Sequence, residues 1–321
     1  MLNSLENSSV TYEDLAEIEQ EFDDVEKEII RQEITLSSPV YSRRDALISK
    51  IPNFWPLVFE QAPPEIDQHI QMGDGALLLG ALTSLSVTRF EPEVDPRSVL
   101  IRFEFAENKY FEDKILEKKF WWRTARNRSW CGLVSEPVAI KWKSPEVDLT
   151  EGLLDLVLTA ERSIPPKLPS EENTKGEKPK SSLTDAQKKL QQSIQTKGIN
   201  GISFFAWFGF IGNRISAIES AEAEEARRNK TVIDSSTKVD ENNDDSSDED
   251  DLEIFPDGGE LAMAISEDLW PDAIKYFTQA QEQDVVSDED FESTDEEDKA
   301  IDFEFEDEEE KNRVAKKRKP N

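Results

Sequence analysis

The fold is decided by residues 12–36, YEDLAEIEQEFDDVEKEIIRQEITL, in which apolar side chains recur at spacings of three and four. This recurrence is the a/d pattern of a coiled coil, with Gln32 at its one polar position. A helix of this length spans ~37 Å and is unstable in water unless its apolar face is covered. The pattern predicts a homodimer, with packing on the chain's own core as the alternative. The apolar positions, called the seam below, are Leu15, Ile18, Phe22, Val25, Ile29 and Leu36.

Glutamates line both sides of the seam. In either orientation of two paired helices these like charges face one another, so charge pairing does not select the partner. Added salt screens the repulsion and leaves the apolar contact intact. We therefore expect salt to tighten the dimer or to leave it unchanged. The flanking residues are Glu19, Glu21, Glu26, Glu28 and Glu33.

A compact region is predicted after the first helix. Residues 37–39, Ser-Ser-Pro, are expected to end that helix, and a short amphipathic stretch follows from Arg43 to Ile48. Alternating apolar residues predict a strand over Val99–Phe105, paired with Leu85–Phe90 through a turn-rich connection.

Two further strands are expected, one near Phe120–Arg123 and one over Val138–Trp142. The connections are too short to hold crossover helices, so the strands are predicted to be antiparallel. The fold class is therefore α+β: a long N-terminal helix followed by an antiparallel sheet with helices.

The second half of the chain alternates between folding and non-folding composition. The aromatic run Ser203–Phe210 must be buried or bound. A polar helix is expected over Ser216–Arg228 and a last core-facing helix over Glu260–Tyr276, interrupted by Pro271. The predicted organisation is a helix over 1–38, a domain over 39–280, and a disordered acidic tail over 281–321 ending in basic residues. A loop at about 165–182 and an acidic insertion at about 229–253 interrupt the domain.

Charge is the dominant feature of the composition. The 321 residues include 70 Asp and Glu against 38 Lys and Arg, a formal net charge of -32. Such an excess repels phosphate backbones and anionic membranes, so we expect neither sequence-specific nucleic acid binding nor membrane association. The expected partner is a strongly basic protein surface.

Acidic tracts are the candidate binding residues for that partner, with a generic solubilising tail as the alternative. A single exposed ion pair contributes about 0–1 kcal/mol, so affinity must come from many contacts acting together. The candidates are Asp244, Asp245, Asp248, Glu249, Asp250, Asp251, Asp288, Glu289, Asp290, Asp295, Glu296, Glu297, Asp298, Glu304, Glu306, Asp307, Glu308, Glu309 and Glu310.

A compact basic cluster follows the tail acids near the C-terminus, at Lys316, Lys317, Arg318 and Lys319. Its spacing is typical of a nuclear import signal. An incidental basic end, or a clasp on the acidic tail, is the alternative.

Catalytic signals are weak. The chain has one histidine, His69, and one cysteine, Cys131, without the spacing of a zinc site. Gly73–Gly75 suggests a turn rather than a phosphate loop, because no Lys-Ser/Thr pair follows it. We therefore expect no catalytic residues, no cofactor or metal, and no enzyme activity. The single cysteine also excludes an internal disulfide.

Six stretches, in their order and spacing, resemble the nucleosome assembly protein (NAP) family and in particular its SET/template-activating-factor branch. They are RDALISKIPNFW at 44–55, LSVTRFE at 85–91, IRFEFAENKYFEDKIL at 101–116, IKWKS at 140–144, SFFAWF at 203–208 and EDLWP at 267–271. The acidic insertion and an aromatic, basic hairpin at 121–131, WWRTARNRSWC, depart from the family pattern.

The resemblance implies an antiparallel dimerisation helix, an α/β "earmuff" domain on each protomer, and core histones as the ligand. It implies a histone chaperone that assembles and disassembles nucleosomes without ATP, in the nucleus, with shuttling to the cytoplasm as a further option. The alternative is an acidic regulatory scaffold, or an inhibitor of a chromatin-modifying enzyme.

Overall fold

One long helix opens the computed structural model, which describes residues 10–164, 183–198, 201–228 and 252–283. Helix α1 runs over Tyr12–Ile48. Its first turn is closed by a capping box, in which the Thr11 N–H donates to the Asp14 carboxylate at 2.8 Å and the Asp14 N–H donates to Thr11 Oγ1 at 3.2 Å. An antiparallel sheet with further helices follows, which confirms the predicted α+β class.

Helix α1 does not end at Pro39, as the sequence led us to expect, but continues through it. A proline inside a helix removes a backbone hydrogen bond and costs about 3 kcal/mol. Contacts beyond the proline offset this cost: the Tyr41 and Trp270 ring centroids are 4.2 Å apart, and the Arg44 guanidinium donates to the Trp270 carbonyl. The predicted second amphipathic stretch is therefore the last part of α1.

Four antiparallel strands form one sheet in the order β1-β2-β3-β4. At its centre, Phe103 lies opposite Leu85 on one side and Leu116 on the other, and all three are buried. The predicted pairing of the first two strands is confirmed. The strands are β1 Leu82–Thr88, β2 Val99–Phe105, β3 Ile115–Thr124 and β4 Cys131–Ser135.

The strand predicted over Val138–Trp142 is wrong. This stretch forms a single isolated bridge, from Trp142 to Phe111. The Val138 N–H donates instead to the Phe208 carbonyl at 2.8 Å, so the stretch pairs with the aromatic segment rather than with the sheet. The fourth strand is β4, which pairs with β3. The aromatic and basic stretch 121–131 runs from the end of β3, through the turn, to the first residue of β4, and so forms the tip of the β3–β4 hairpin.

Helices bury one face of the sheet. Gly73–Gly75, expected to form a turn, lies inside α4, because Asp74 accepts the Gln71 N–H at 2.9 Å and closes the first turn of that helix.

The polar helix expected before the insertion is confirmed as α7. The helices after α1 are α2 Phe54–Glu60, α3 Pro64–Asp67, α4 Met72–Ala81, α5 Leu153–Arg162, α6 Asp185–Lys197, α7 Ala217–Arg228 and α8 Gly258–Met263.

Aromatic rings form the centre of the core. A 3-10 helix over Phe204–Gly209 is buried along its whole length, so of the two alternatives for this segment, burial or binding, the structure shows burial. The Trp207 ring stacks on Phe120 with centroids 5.1 Å apart, and its indole N–H donates to the Gly258 carbonyl at 2.8 Å.

A buried lysine joins β3 to this aromatic segment. The Lys118 ammonium donates to the carbonyl oxygens of Glu136 at 2.9 Å, Phe208 at 3.1 Å and Phe210 at 2.9 Å. Complete burial lowers the pKa of Lys118 to about 7. Lys118 therefore occupies a core-facing position of β3, one of the two central strands of the sheet.

Leu252 is buried and belongs to the hydrophobic core. The Glu253 carboxylate accepts the N–H groups of Ile211 and Gly212, both at 3.0 Å. The last two residues of the predicted insertion thus belong to the ordered domain. The rest of the insertion, the predicted loop at about 165–182 and the acidic tail lie outside the described residues.

The predicted last helix consists of three parts: α8, a π-helix over Ala264–Leu269, and a C-terminal helix over 273–283. In the π-helical part the Trp270 N–H donates to the Ile265 carbonyl, five residues earlier. The interruption expected at Pro271 is confirmed by the turn at 271–272.

Ion pairs hold the N-terminal half of α1 against α7 and the residues before β2. Asp23 contacts Lys27 at 2.8 Å and Arg97 at 2.9 Å, while Arg227 of α7 contacts Asp23 at 3.3 Å and Asp24 at 2.6 Å. The three cations are largely buried, so these pairs fix one geometry at some cost in desolvation. One side of α1 is therefore attached to the domain.

Candidate functional site

The other side of α1 carries the seam, which is open. Its six residues keep between 47 % and 74 % of their surface accessible. The described part of the chain therefore does not cover the seam, which removes packing on its own core as the alternative. A continuous apolar face of this kind marks a site of protein contact.

An acidic groove lies beside the N-terminus of α5. Its lining consists of residues from 140–152, which precede this helix, and of Asp155 in the first turn of the helix. It has a volume of about 920 Å³ and is lined by carboxylates, two lysines and one aromatic side chain. The charged and aromatic residues of the lining are Lys141, Trp142, Lys143, Glu146, Asp148, Glu151 and Asp155.

The two lysines of the groove are directed toward other groups. The Lys143 ammonium donates to the Asn108 carbonyl at 2.6 Å, and Lys141 lies 3.9 Å from the Asp113 carboxylate. Asp148 is occupied in a turn, where it accepts the N–H groups of Thr150 and Gly152 at 2.8 Å each. The groove is net negative because four carboxylates line it against two lysines.

Glu146 and Asp155 remain exposed at the groove. A hydrogen bond from Ser144 lowers the pKa of Glu146, so this carboxylate stays ionised at neutral pH. Trp142 is half-buried and packs on Phe111 with centroids 5.8 Å apart, which fixes its ring in the wall. Ionised carboxylates beside a fixed aromatic surface suit lysine and arginine side chains.

A second cavity, of about 440 Å³, adjoins the first through Lys143. Its lining adds Glu107, Glu112 and Asp113, with Lys114 as a further cation. The two cavities extend the acidic surface from the β2–β3 connection to α5. A partner would meet several carboxylates in succession rather than one pocket.

The acidic tracts and the basic cluster predicted as binding and import residues lie outside the described residues, so their roles stay predictions. His69 and Cys131 do not come together as a reactive pair: His69 packs on Phe255, and burial lowers its pKa, while Cys131 is exposed at the start of β4. Over the described ranges, His, Cys, Asp and Glu side chains nowhere gather into a group that could hold a metal ion. None of the described helices has the length and apolar character of a membrane span.

The groove was not found from the sequence. Carboxylates are so frequent in this chain that Glu146 and Asp155 do not stand out. The usable signal was Trp142, an aromatic residue between two lysines, followed by Ser-Pro-Glu. We interpreted that stretch as a strand, which hid the groove.

A long helix with an open apolar face, an α+β domain and an acidic groove together define a binding protein for basic partners. The family model described as Nucleosome assembly protein (NAP) matches residues 7–280. The chain belongs to the nucleosome assembly protein family. This confirms the predicted family, and with it a histone chaperone acting in nucleosome assembly.

Individual relatives agree with this assignment. A relative in Schizosaccharomyces pombe that is named for nucleosome assembly is 32 % identical over 296 residues, which cover 89 % of this chain and 86 % of the relative. Protein SET of Drosophila melanogaster is 38 % identical over 128 residues, 39 % of this chain and 43 % of its own length, in line with a SET-like branch. The crystal structure of Ccp1 superposes with a TM-score of 0.50 at 25 % identity, covering 84 % of this chain and 95 % of that one.

Proposed function

We propose that this protein is an ATP-independent histone chaperone that binds core histones through the acidic groove and the acidic tracts. The observation that carries the proposal is the groove itself: ionised carboxylates and a fixed tryptophan on a fold of the NAP family. The groove and tracts compete with DNA phosphates for histone lysines and arginines. Binding shields those side chains from non-productive contacts with DNA. Transfer of the histones from the chaperone to a nucleosome remains favourable in free energy.

The proposal includes homodimerisation through the seam. In a single chain, each of the six apolar residues keeps about half or more of its surface exposed to water. Burying this surface against a partner lowers the free energy. A second copy supplies a complementary surface of the same length. The dimer then carries two domains, one on each of its two paired helices, and so presents two acidic grooves to one histone assembly. Once one groove has bound, the second is held at a high effective concentration, which raises the overall affinity.

Reversing the groove charge tests the site. We expect the double variant Glu146→Lys and Asp155→Lys to weaken binding of a purified histone pair at least fivefold at 0.15 M salt, because two attractive contacts become repulsive. Fluorescence anisotropy measures the effect, with each kind of core histone pair labelled and titrated separately. The double variant Asp67→Lys and Asp185→Lys, at exposed residues of α3 and α6, is the control, because it changes the net charge by the same amount.

Truncation after Ala280 separates the groove from the tail. If the truncated chain keeps its affinity and still loses it on groove reversal, the groove dominates. If truncation alone abolishes binding and groove reversal has no effect, the groove is not the histone site. A salt series from 0.1 to 0.5 M completes the comparison, because many weak ion pairs predict a steep decline in affinity.

Nuclear localisation is part of the proposal and rests on the basic cluster. We expect deletion of Lys316–Lys319 to shift a fluorescently tagged chain from the nucleus toward the cytoplasm, because the import receptor loses its cationic ligand. Replacement of Lys188 and Lys189 on α6 by alanine controls for the loss of positive charge elsewhere. Unchanged nuclear accumulation after deletion of the cluster would assign import to another segment.

The second candidate is an acidic scaffold or inhibitor of a chromatin-modifying enzyme. The same groove and open seam favour it, because both are suited to protein contact without a reaction. The two candidates differ in ligand: a chaperone binds pure histones with fixed stoichiometry. A scaffold would bind histones weakly and the modifying enzyme tightly, in the same anisotropy measurement.

A further inference from the structure

The outer face of the sheet carries alternating cations and aromatic rings beside the β3–β4 hairpin. Lys119, Trp121 and Arg123 are out of step with the buried positions 116, 118 and 120 of β3, so they lie on the face away from the core. The Phe90 ring meets the Trp121 ring edge-on, with centroids 5.9 Å apart. The Lys119 ammonium lies 5.4 Å from the centre of the Phe90 ring, and the Arg123 guanidinium lies 6.0 Å from the centre of the Trp121 ring. Two joined rings therefore have a cation at each end.

Part of this surface is open to a partner. Lys119 is exposed and forms no ion pair with the residues that the structure describes, and both rings are only half-buried. At the tip of the hairpin, Arg128 is also exposed and without an ion pair over the described ranges. Residues 119–135 include four Lys and Arg and no Asp or Glu, in a chain of net charge -32. The surface called the hairpin patch below consists of Phe90, Lys119, Trp121, Arg123 and Arg128.

Carboxylates of this chain already contact the hairpin. Arg126, near the tip, contacts the Glu222 carboxylate of α7, and the Arg126 N–H donates to the Glu219 carboxylate at 3.3 Å. These contacts leave Lys119 and Arg128 as cations of the hairpin without a described ion pair. The hairpin is therefore suited to acidic partners, and the described residues supply only some of them.

The chemistry of the patch matches a segment of the same chain. Cations beside half-buried rings fit a partner in which carboxylates alternate with apolar side chains. Residues 301–306, IDFEFE, have this alternation, and four further acids follow at 307–310. Bases and phosphates of a single-stranded nucleic acid could also meet rings and cations, but the net charge of the chain repels them. A segment of the same chain is held nearby by its tether, and the resulting effective concentration offsets that repulsion.

The length of the chain allows this contact. The last described residue, Gln283, accepts a hydrogen bond from the Gln61 side chain at 2.8 Å, at the end of α2. Position 301 lies 18 residues further along the chain, a reach of up to ~60 Å. This reach exceeds the diameter of roughly 45 Å expected for a compact domain of ~200 residues. Residues 301–310 can themselves span up to ~30 Å, whereas Lys119 is ~20 Å from the hairpin tip along the strand.

We infer that residues 301–310 dock on the hairpin patch of the same chain, with their apolar side chains against the two rings and their carboxylates beside Lys119 and Arg128. A carboxylate cannot pair with the patch and with a histone at the same time. Docking therefore withholds these acids until a histone displaces them, a consequence that rests on the proposed function, as the docking itself does not.

Photo-cross-linking in the full chain tests the docking. Phe303 is replaced by the photoreactive residue p-benzoylphenylalanine, and mass spectrometry identifies the peptides joined to it after irradiation. Chains with heavy and light isotopes are mixed, so that links within one chain are distinguished from links between two copies. We expect the main product to join position 303 to Phe90 or to residues 119–131 of the same chain. No histone is present, so a failure of the histone proposal leaves this result unaffected.

A charge exchange tests whether the contact is specific. The double variant Lys119→Glu and Arg128→Glu should lower the yield of this product about fivefold, because two attractive contacts become repulsive. The further changes Glu304→Lys and Glu306→Lys in the tail should restore at least half of the yield. All four positions are exposed or lie outside the described domain, and circular dichroism checks that each variant keeps its fold.

The control for net charge is Lys188→Glu and Lys189→Glu at exposed residues of α6, which should leave the yield unchanged. Equal yields in the patch variant and in this control would overturn the inference, as would links confined to another surface or to a second copy. A labelled single-stranded oligonucleotide is also titrated into the full chain at 0.15 M salt. Binding that the patch variant loses and the control keeps would assign the patch to nucleic acid instead of the tail.

Discussion

Replacing Trp207 by alanine is expected to lower the free energy of unfolding by about 4 kcal/mol. The side chain is fully buried, stacks on Phe120, and donates its indole N–H to the Gly258 carbonyl at 2.8 Å. Alanine leaves a cavity at the centre of the aromatic core and an acceptor without its donor. Urea denaturation at one fixed protein concentration, followed by circular dichroism, measures the loss.

Trp130→Ala is the matched control for the loss of an indole. Trp130 is half-buried at the end of the β3–β4 hairpin, so its removal should cost much less. Equal losses in the two variants would mean that the aromatic segment does not form the centre of the core.

Replacing Asp74 by alanine is expected to cost about 3 kcal/mol. This buried carboxylate accepts hydrogen bonds from the Phe204 N–H at 2.7 Å, the Gln71 N–H at 2.9 Å and the Ser203 hydroxyl. Its loss leaves these three donors without their acceptor and frees the start of the aromatic segment from α4. The same denaturation measurement applies, with hydrogen exchange of the Phe204 amide as a local readout.

Asp67→Ala on the exposed surface of α3 controls for the change in net charge and should alter stability by less than about 0.5 kcal/mol. Asp74→Asn should recover only part of the loss, because an amide offers one acceptor where the site has three donors. Full stability of Asp74→Asn would show that these hydrogen bonds contribute little.

Hydrophobic periodicity was sufficient to predict the start and the exposed face of the first helix and the pairing of β1 with β2, and the density of aromatic residues marked the segment Ser203–Phe210. These elements have regular sequence patterns, and the conformation of each follows from residues that are close together in the sequence. Pro39 was misleading because the cost of a proline is local, whereas the contacts that offset it come from Tyr41 and Trp270, residues 229 apart in the sequence. Lys118 could not be recognised as a core residue, because its three carbonyl partners lie on distant segments.

The candidate site was predicted only in part. The seam was visible because its spacing is regular, and its exposure in the structure agrees with the role assigned to it. The groove was not visible, because it depends on how the residues before α5 lie beside the sheet, and the alternation at Val138, Ile140 and Trp142 predicts a strand there. Composition predicted that the protein binds basic partners, but it did not show which carboxylates share a surface.

The ion pairs of α7 with α1 and the hydrogen bonds of Glu253 have a consequence for mutagenesis. Arg227 contacts Asp24 at 2.6 Å, and the Glu253 carboxylate accepts the N–H groups of Ile211 and Gly212. Every partner in these contacts lies outside residues 229–251. Substitutions between residues 229 and 251 therefore replace none of the side chains that attach α7 to α1 or Glu253 to the domain.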